Sequence, residues 1–445
     1  MGGGERSGKS ERERACGAES LARPSRALTA LTTSALAVPG LALPARADTP
    51  VEQASSSYAF SYYLEDDLES DRLAPGGGSR ERYEVLTHQL DFKLPVAKRV
   101  DVGIGFLYEE MSGVSPWFVQ PDTTGDKRLQ VMSGATIEDE RYDLSADLSY
   151  YMDESKDTFS TGFSKERDYL SVHGGMGTER SFADKNTTFS TSGSFSYDWI
   201  EPTDADLFAE RPSAGERWSV DLFAGLSQIL SRASAVQGTI NYKHSDGYLS
   251  DPYKAIRGFT SGDTVVSDRR PDQKDQVSLL LRYRHHFEAV AGSLHADYRL
   301  YVDTWAVTSH TVELAWHQNL FGFLTIVPGV RYYSQSKADF YETLLLAGTV
   351  ESTPGDRSSD YRLSPYGAVS GKIKAEVALE DILDYQAAGK LEGIGFTGGL
   401  ALFAAFSYER YFSDGNFGLV SVGDEDEAPG LVNFQVFAVT LTGRF

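Results

Sequence analysis

The chain has 445 residues, with 42 Gly, 24 Tyr, 24 Phe and 5 Met, 24% of them charged, and a formal charge of −22. That mix favours strands and turns over helices, and its acidity argues against nucleic acid and anionic lipid as electrostatic partners. No apolar run of about 18 residues occurs in the body of the chain, which excludes a transmembrane helix there but not barrel strands, whose signal is weaker.

Residues 1–47 read as an export signal region that is removed. Arg23 and Arg26 precede an apolar stretch from Ala27 to Ala47, broken by Pro39, Gly40 and Pro44. Small residues, Ala45 and Ala47, stand before Asp48 where a signal peptidase reads. The first twenty residues are long and polar for a signal, which points to a translation start further along the chain. The single cysteine, Cys16, lies before the cleavage point, so no disulfide can form in the exported part. Residues 1–47 carry seven basic and four acidic side chains, or +3, so residues 48–445 carry −25. Those residues are expected to form one domain.

From Ser55 on, sixteen segments alternate apolar and polar residues: 55–67, 82–94, 99–112, 139–152, 157–168, 169–181, 187–200, 215–229, 235–248, 274–288, 293–306, 308–320, 323–335, 361–376, 392–412 and 431–445. A period of two is the side-chain period of a strand. The fifth and sixth are the weakest, because no obvious turn separates them. Connectors alternate too. Short ones fall at 96–99, 153–156, 182–186, 231–234, 289–292 and 321–322, and long ones at 68–81, 113–138, 201–214, 249–273, 336–360 and 413–430. One short-side connector, 376–390, is longer and carries Leu379, Ile382 and Leu383 at helical spacing, which predicts a one-to-two-turn helix. The acidic runs 64–71 and 423–427 read as solvated loops, with cation bridging to lipopolysaccharide phosphates as a secondary reading.

Each segment has an apolar and a polar face. In 293–306, Leu294, Ala296, Tyr298, Leu300 and Val302 oppose His295, Asp297, Arg299, Tyr301, Asp303 and Trp305. In 274–288, Val277, Leu279, Leu281, Tyr283 and Phe287 oppose Arg282, Arg284 and His286. In 308–320, Val312, Leu314, Trp316 and Leu320 oppose Thr311, Glu313 and His317. Aromatic residues near segment ends (Tyr62, Tyr108, Tyr150, Trp199, Trp218) suit interfacial girdles. The expected fold is therefore all-β: a transmembrane antiparallel up-and-down β-barrel of about 16 strands (14–18), with short periplasmic turns and long extracellular loops. A closed sheet pairs every backbone group in hydrocarbon, and sixteen strands leave room for water inside. An even strand count puts both termini on the periplasmic side of a bacterial outer membrane.

The last segment ends "FQVFAVTLTGRF". Phe437, Val439, Leu441 and Phe445 share one face, expected to meet lipid, and Thr440, Thr442 and Arg444 share the other. This strand is expected to pair with the first and close the cylinder, and its terminal aromatic residue resembles the signal read by barrel-assembly machinery.

The candidate lumen residues form a mixed-charge ladder: Arg282, Arg284, His286, His295, Asp297, Arg299, Asp303, Glu313 and His317. Rows of charge can set pore selectivity, and they can equally stiffen a wide wall through salt bridges. A second candidate is the loop motif "SDGYLSDPY", with Asp246, Gly247, Tyr248, Asp251, Pro252 and Tyr253. Gly247 and Pro252 punctuate the strand exit, and Asp246 and Asp251 can cap turns. A divalent-cation site from Asp246 and Asp251 with Asp263, Asp268 or Asp272 is a weaker reading, since no known calcium spacing is present. Neighbours such as His244 and Ser245 point to opposite faces of a strand and cannot act as base and nucleophile.

Three stretches carry a family resemblance: "SDGYLSDPYKAIRGF" (245–259) with "RRPDQ" after it, "DYRLYVDTWAVTSHTVEL" (297–314), and "FSKERDYLSV" (163–172) leading into "NTTFSTSGSFSYDWIEP" (186–202). Together they resemble the outer-membrane β-barrel family known as domain of unknown function 3570, over nearly the whole exported part. The resemblance implies a barrel of unestablished activity and carries over no catalytic residue. The expected function is a channel or substrate-specific transporter without cofactor or metal, not an enzyme. One alternative is a barrel that anchors or presents a partner protein at the surface, and a lesser one is a barrel-embedded hydrolase. Expected partners are outer-membrane lipid, lipopolysaccharide and the assembly machinery.

Overall fold

A computed structural model describes residues 53–133, 137–206, 211–259, 263–345, 355–379, 401–419 and 428–445. The export region, the expected helix beyond residue 379 and the acidic run 423–427 lie outside them.

The strands are β1 (Ser55–Glu65), β2 (Glu84–Ala97), β3 (Val100–Gly113), β4 (Pro116–Pro121), β5 (Arg128–Met132), β6 (Ile137–Tyr151) and β7 (Ser155–Lys165). They continue with β8 (Tyr169–Phe182), β9 (Thr187–Ile200), β10 (Gly215–Ser231), β11 (Ser234–Gly247), β12 (Ala255–Phe259) and β13 (Asp263–Ser267). The remainder are β14 (Gln273–Phe287), β15 (Gly292–Asp303), β16 (Thr308–Leu320), β17 (Leu324–Gln335), β18 (Tyr366–Ala378), β19 (Ala401–Asp414) and β20 (Phe434–Arg444). Sixteen of these close into one antiparallel barrel in the order β1, β2, β3, β6 to β11, β14 to β20. The other four form two separate hairpins, β4–β5 and β12–β13.

The barrel seam is β20 against β1, in continuous register from Ser55 opposite Arg444 to Glu65 opposite Phe434. Every segment read from the alternation corresponds to one barrel strand. The missing turn between the fifth and sixth is residues 166–168, where Glu166 N donates to Tyr169 O.

The sheet is inside out relative to a water-soluble protein. Its large apolar side chains are exposed on the outer face, with Leu281 57% and Met176 62% exposed. Its polar side chains face inward and are often buried, as with Asp101 at 0% and Asp198 at 2%. The expected faces of 274–288, 293–306 and 308–320 follow this phase, with Leu279, Tyr283, Tyr298, Val302, Val312 and Leu314 outward and exposed. On the seam strand, Phe437 and Leu441 are likewise exposed, while Val436 on the opposite phase is buried.

Two devices shape the ends. At the end where Ser55 meets Arg444, reversals are tight: 98–99, 183–186 and 321–323. Phe321 and Gly322 both take left-handed φ values there, 58° and 82°, which reverses the chain within three residues. At the opposite end Gly247 closes β11 with φ +117°, and a Cβ there would lie 2.3 Å from Glu216 O. Only glycine lets this strand bend into the following loop.

The connectors at that opposite end fold together into a cap. Ala74 N donates to Gln130 O, Leu345 N to Arg257 O, Asp66 N to Asn433 O, and Arg211 Nε to Pro252 O. Apolar residues seal it: Ile256 and Ala338 are fully buried, and Val114, Met132, Trp305, Tyr341 and Leu363 nearly so. Two connectors at this end, 166–168 and 304–307, are short and leave the covering to their neighbours.

Candidate functional site

Pairing register brings most of the expected ladder together. Arg282 stands opposite Asp297, Arg284 opposite His295, and Asp297 opposite Glu313. Arg284 pairs directly with Asp297, and Arg282 lies 3.4 Å from the same carboxylate. His295 and His317, on adjacent strands, meet with ring centres 3.9 Å apart and planes tilted by 30°. Three other members sit apart. His286 lies near the end with the tight turns and contacts Ser293 Oγ at 2.9 Å. Asp303 lies near the capped end and pairs with Lys274 at 2.9 Å. Arg299 faces Thr311 across the strand pair and has no carboxylate within 4.0 Å among the described residues.

The ladder runs further around the wall than the alternation of three segments indicated. Arg331 on β17 lies 3.0 Å from Glu313 and 3.7 Å from Glu409 on β19. Glu409 also accepts from Ser370 Oγ at 2.7 Å and lies 3.8 Å from Lys372. Arg331, Lys372 and Glu409 occupy the inner phase of their strands, so the signal was the same alternation carried on into 323–335, 361–376 and 392–412. Bases on β14, β17 and β18 thus enclose acids on β15 and β16, with Glu409 on β19 completing the row. The wall is also locally open at this level. Pro328 has no N–H to give, and the β16–β17 pairing lapses opposite Trp316 and His317. A small cavity of about 70 Å³ lies there, lined by Arg284, His295, His317, Gly329 and Lys372.

The loop motif has a different role from a cation site. Asp251 takes the Tyr253 N–H at 3.0 Å, an Asx turn that sets the course of the loop. Its other oxygen meets Arg362 at 2.8 Å. Asp268 binds Arg270 at 2.7 Å, and Arg270 reaches Asp360 at 2.8 Å. Asp360 also pairs with Arg362 and caps its backbone N–H at 3.1 Å. Asp246 instead takes Gln273 Nε2 at 2.6 Å. Of the carboxylates proposed as cation ligands, Asp251 and Asp268 therefore hold arginines, and Asp246 stands apart from them. Tyr248 and Pro252 line the cavity beneath this loop, and the Tyr253 hydroxyl donates to Asp168.

Electrostatics explain the stability of this buried cluster. Burial pushes the Asp360 carboxyl up, but the Arg362 and Arg270 guanidiniums outweigh it and hold the group well below the usual carboxylate range. Lys254, also buried, donates to Ser115 Oγ at 2.9 Å and to Pro116 O. Burial lowers its ammonium to about 8, against the pull of Asp360. Arg270 is two residues from Asp268 and Arg362 two from Asp360, but the links from Arg362 to Asp251 and from Arg270 to Asp360, across 111 and 90 residues, were not legible locally.

On the outer face, a band of tyrosines near the capped end donates hydroxyl protons to carboxylates. Tyr62 donates to Glu84 at 2.8 Å, Tyr142 to Glu140 at 3.0 Å, Tyr197 to Glu216 at 2.7 Å and Tyr242 to Asp275 at 2.7 Å. Tyr108 joins it through Glu140 and its ring contact with Tyr142. Trp218 lies in the same band, stacked on Phe195 and in tilted contact with His244. His244 thus sits outside with Asp275, while Ser245 faces inward to Ser219 at 2.9 Å, so the two are not a catalytic pair.

Residues 28–392 match the family described as protein of unknown function (DUF3570). No curated protein matches the chain in sequence. Among solved structures, a bacterial polysaccharide outer membrane secretin is 9% identical, with a TM-score of 0.46, covering 88% of this chain and 98% of that one. CdiB from Acinetobacter baumannii is 8% identical, with a TM-score of 0.45, covering 88% and 60%. A Pseudomonas aeruginosa FadL homologue is 11% identical, with a TM-score of 0.37, covering 88% and 90%.

Proposed function

The chain belongs to the protein family of unknown function DUF3570, and from that premise we propose that it is an outer-membrane channel or transporter for small polar solutes. The observation that carries this reading is the inverted sheet, whose outer face is apolar and whose inner face is charged. A continuous exposed apolar belt is costly in water and stable in hydrocarbon. Charges facing inward are tolerable when they meet water and each other.

On this reading the tyrosine–carboxylate band marks one membrane interface, because a tyrosine keeps its ring in the apolar zone and its hydroxyl in the polar one. The cap then lies outside the cell and the tight turns and both termini lie in the periplasm. Residues 1–47 are the export signal, and Phe437, Val439, Leu441 and Phe445 serve barrel insertion. The charge ladder from Arg282 to Glu409 lines the route of the solute, and the cap restricts entry.

Solute flux into proteoliposomes tests this. Purified protein, shown folded by its heat-dependent shift on a gel, is expected to admit small sugars and amino acids at rates proportional to protein content. Impermeable vesicles, with wild type and with a cap-opened variant, would contradict transport and favour a barrel that presents a partner at the surface.

A further inference from the structure

On the inner face of β14 and β15, three arginines surround one carboxylate. Arg284 takes both oxygens of Asp297, Nη1 donating to Oδ1 and Nη2 to Oδ2, the second at 3.0 Å. Arg282 is left with looser contacts, 3.4 Å from the same carboxylate and 3.5 Å from Gln237 Oε1. Its Nε–H is buried with no acceptor in hydrogen-bonding geometry. Arg299 is exposed to the lumen and makes neither hydrogen bond nor ion pair among the described residues. The neighbouring acids are already engaged: Arg331 holds Glu313 at 3.0 Å, and Arg331 and Lys372 share Glu409.

Register brings the two loosely held guanidiniums together. Arg282 stands opposite Asp297, and Leu280 opposite Arg299, so Arg282 and Arg299 are diagonal neighbours on one face. Diagonal neighbours across a strand pair lie roughly 7–8 Å apart, within reach of two arginine side chains closing on one small ligand. Thr311, opposite Arg299 on the other side, adds a hydroxyl. Like charges held side by side repel, and an anion between them relieves the repulsion. A guanidinium presents its N–H groups as a planar fork that matches the paired oxygens of a carboxylate or phosphate. The far wall carries the opposite surplus. Among the sixteen barrel strands, β2 stands eight places from β14, and β6 eight places from β16. Asp91 on β2 and Asp147 on β6 face inward there, packed against Gly105 and Gly103, with no base within 4.0 Å among the described residues. An anion in the lumen is thereby driven towards β14 and β15.

We propose that Arg282 and Arg299 form an anion-binding site on the inner wall, which takes the carboxylate or phosphate group of a small anionic solute. The inference rests on the transport reading and supplies its substrate class.

Equilibrium dialysis of the folded, detergent-solubilised full chain tests it, at neutral pH and low ionic strength, where such contacts are least screened. The probes are labelled gluconate, inorganic phosphate and glucose. Saturable binding of an anion is expected, and none of glucose, which is neutral and of gluconate's size. Preference for gluconate assigns the solute a carboxylate, preference for phosphate assigns it a phosphate group, and equal affinity makes the site general for both. Arg299→Gln and Arg282→Gln are each expected to weaken the bound anion about tenfold, since each removes one charge-assisted contact. Arg299→Gln orphans no partner and should fold as the wild type does. Lys156→Gln, the same change of charge on β7, should leave binding unaltered. Binding of neither anion, glucose held as tightly, unaltered binding by Arg299→Gln, or equal weakening by Lys156→Gln would overturn the proposal. Anion binding without solute flux would strike the transport reading alone, and sugar flux without anion binding would strike this inference alone.

Discussion

Among single residues, Asp360 has the largest structural consequence. It is 2% exposed and joins Arg270 to Arg362, which in turn holds Asp251. Removing one member of a buried ionic cluster leaves the others charged and unpaired, at a cost of roughly 3–5 kcal/mol. Asp360→Ala is therefore expected to speed hydrogen exchange of cap amides around residues 251–257 and 357–363, with barrel amides unchanged. The pH dependence has two arms. A carboxyl lowered by folding contributes stability above its unfolded pKa of about 4, so the cap should loosen only as pH falls below that. Lys254 is lowered to about 8 from an ordinary 10.5, so between those values the open state binds more protons and the cap tightens as pH rises. Exchange protection, corrected for intrinsic rate, should rise from pH 8 to pH 10, and Lys254→Met should flatten that rise. Such residues were only partly legible. Arg270 lies two residues from Asp268, but the Arg362 that holds Asp251 arrives through folding of a connector 111 residues away.

At the level of strands, legibility was high wherever period-two alternation ran unbroken, since the phase alone separates the two faces of a sheet. The segment ending at Phe445 illustrates this: its phase and its pairing with β1 were both readable from "FQVFAVTLTGRF". The start of β18 was less clear, because residues 361–363 form a 3-10 turn that continues the polar and apolar pattern without joining the sheet. The alternation of 323–335 and 392–412 puts Arg331 and Glu409 on the inner phase, but their meeting depends on strand register. The faces of the seam strand make a direct prediction. Leu441→Arg, on the outer face, is expected to cost about 2–4 kcal/mol in lipid, whereas Thr442→Lys, on the inner face, should be near neutral. Denaturant unfolding of the reconstituted barrel reads both. For the ladder, replacing Arg282, Arg284 and Arg299 with Ala removes positive charge from the inner wall and should shift reversal potentials towards cations. Unchanged selectivity with lowered heat resistance would instead assign the ladder to wall stiffening.

Across the whole molecule, the barrel and the cap have different physical origins. The barrel follows from backbone pairing and an apolar outer belt, which many sequences can satisfy. The cap follows from specific long-range bonds between connectors, such as Lys254 to Ser115 and Ser359 Oγ to Ala255 O at 2.8 Å. This division accounts for why strand number and faces were legible while the closed end was not. It also separates conduit from gate: weakening the cap should open the conduit without disturbing the wall. Single-channel recording in planar bilayers tests that claim directly, comparing the wild type with Asp360→Ala in protein shown to be folded. Discrete conductance steps are expected from both, with the variant open for a larger fraction of the time. Absence of conductance from both would contradict the account of this barrel as a gated channel.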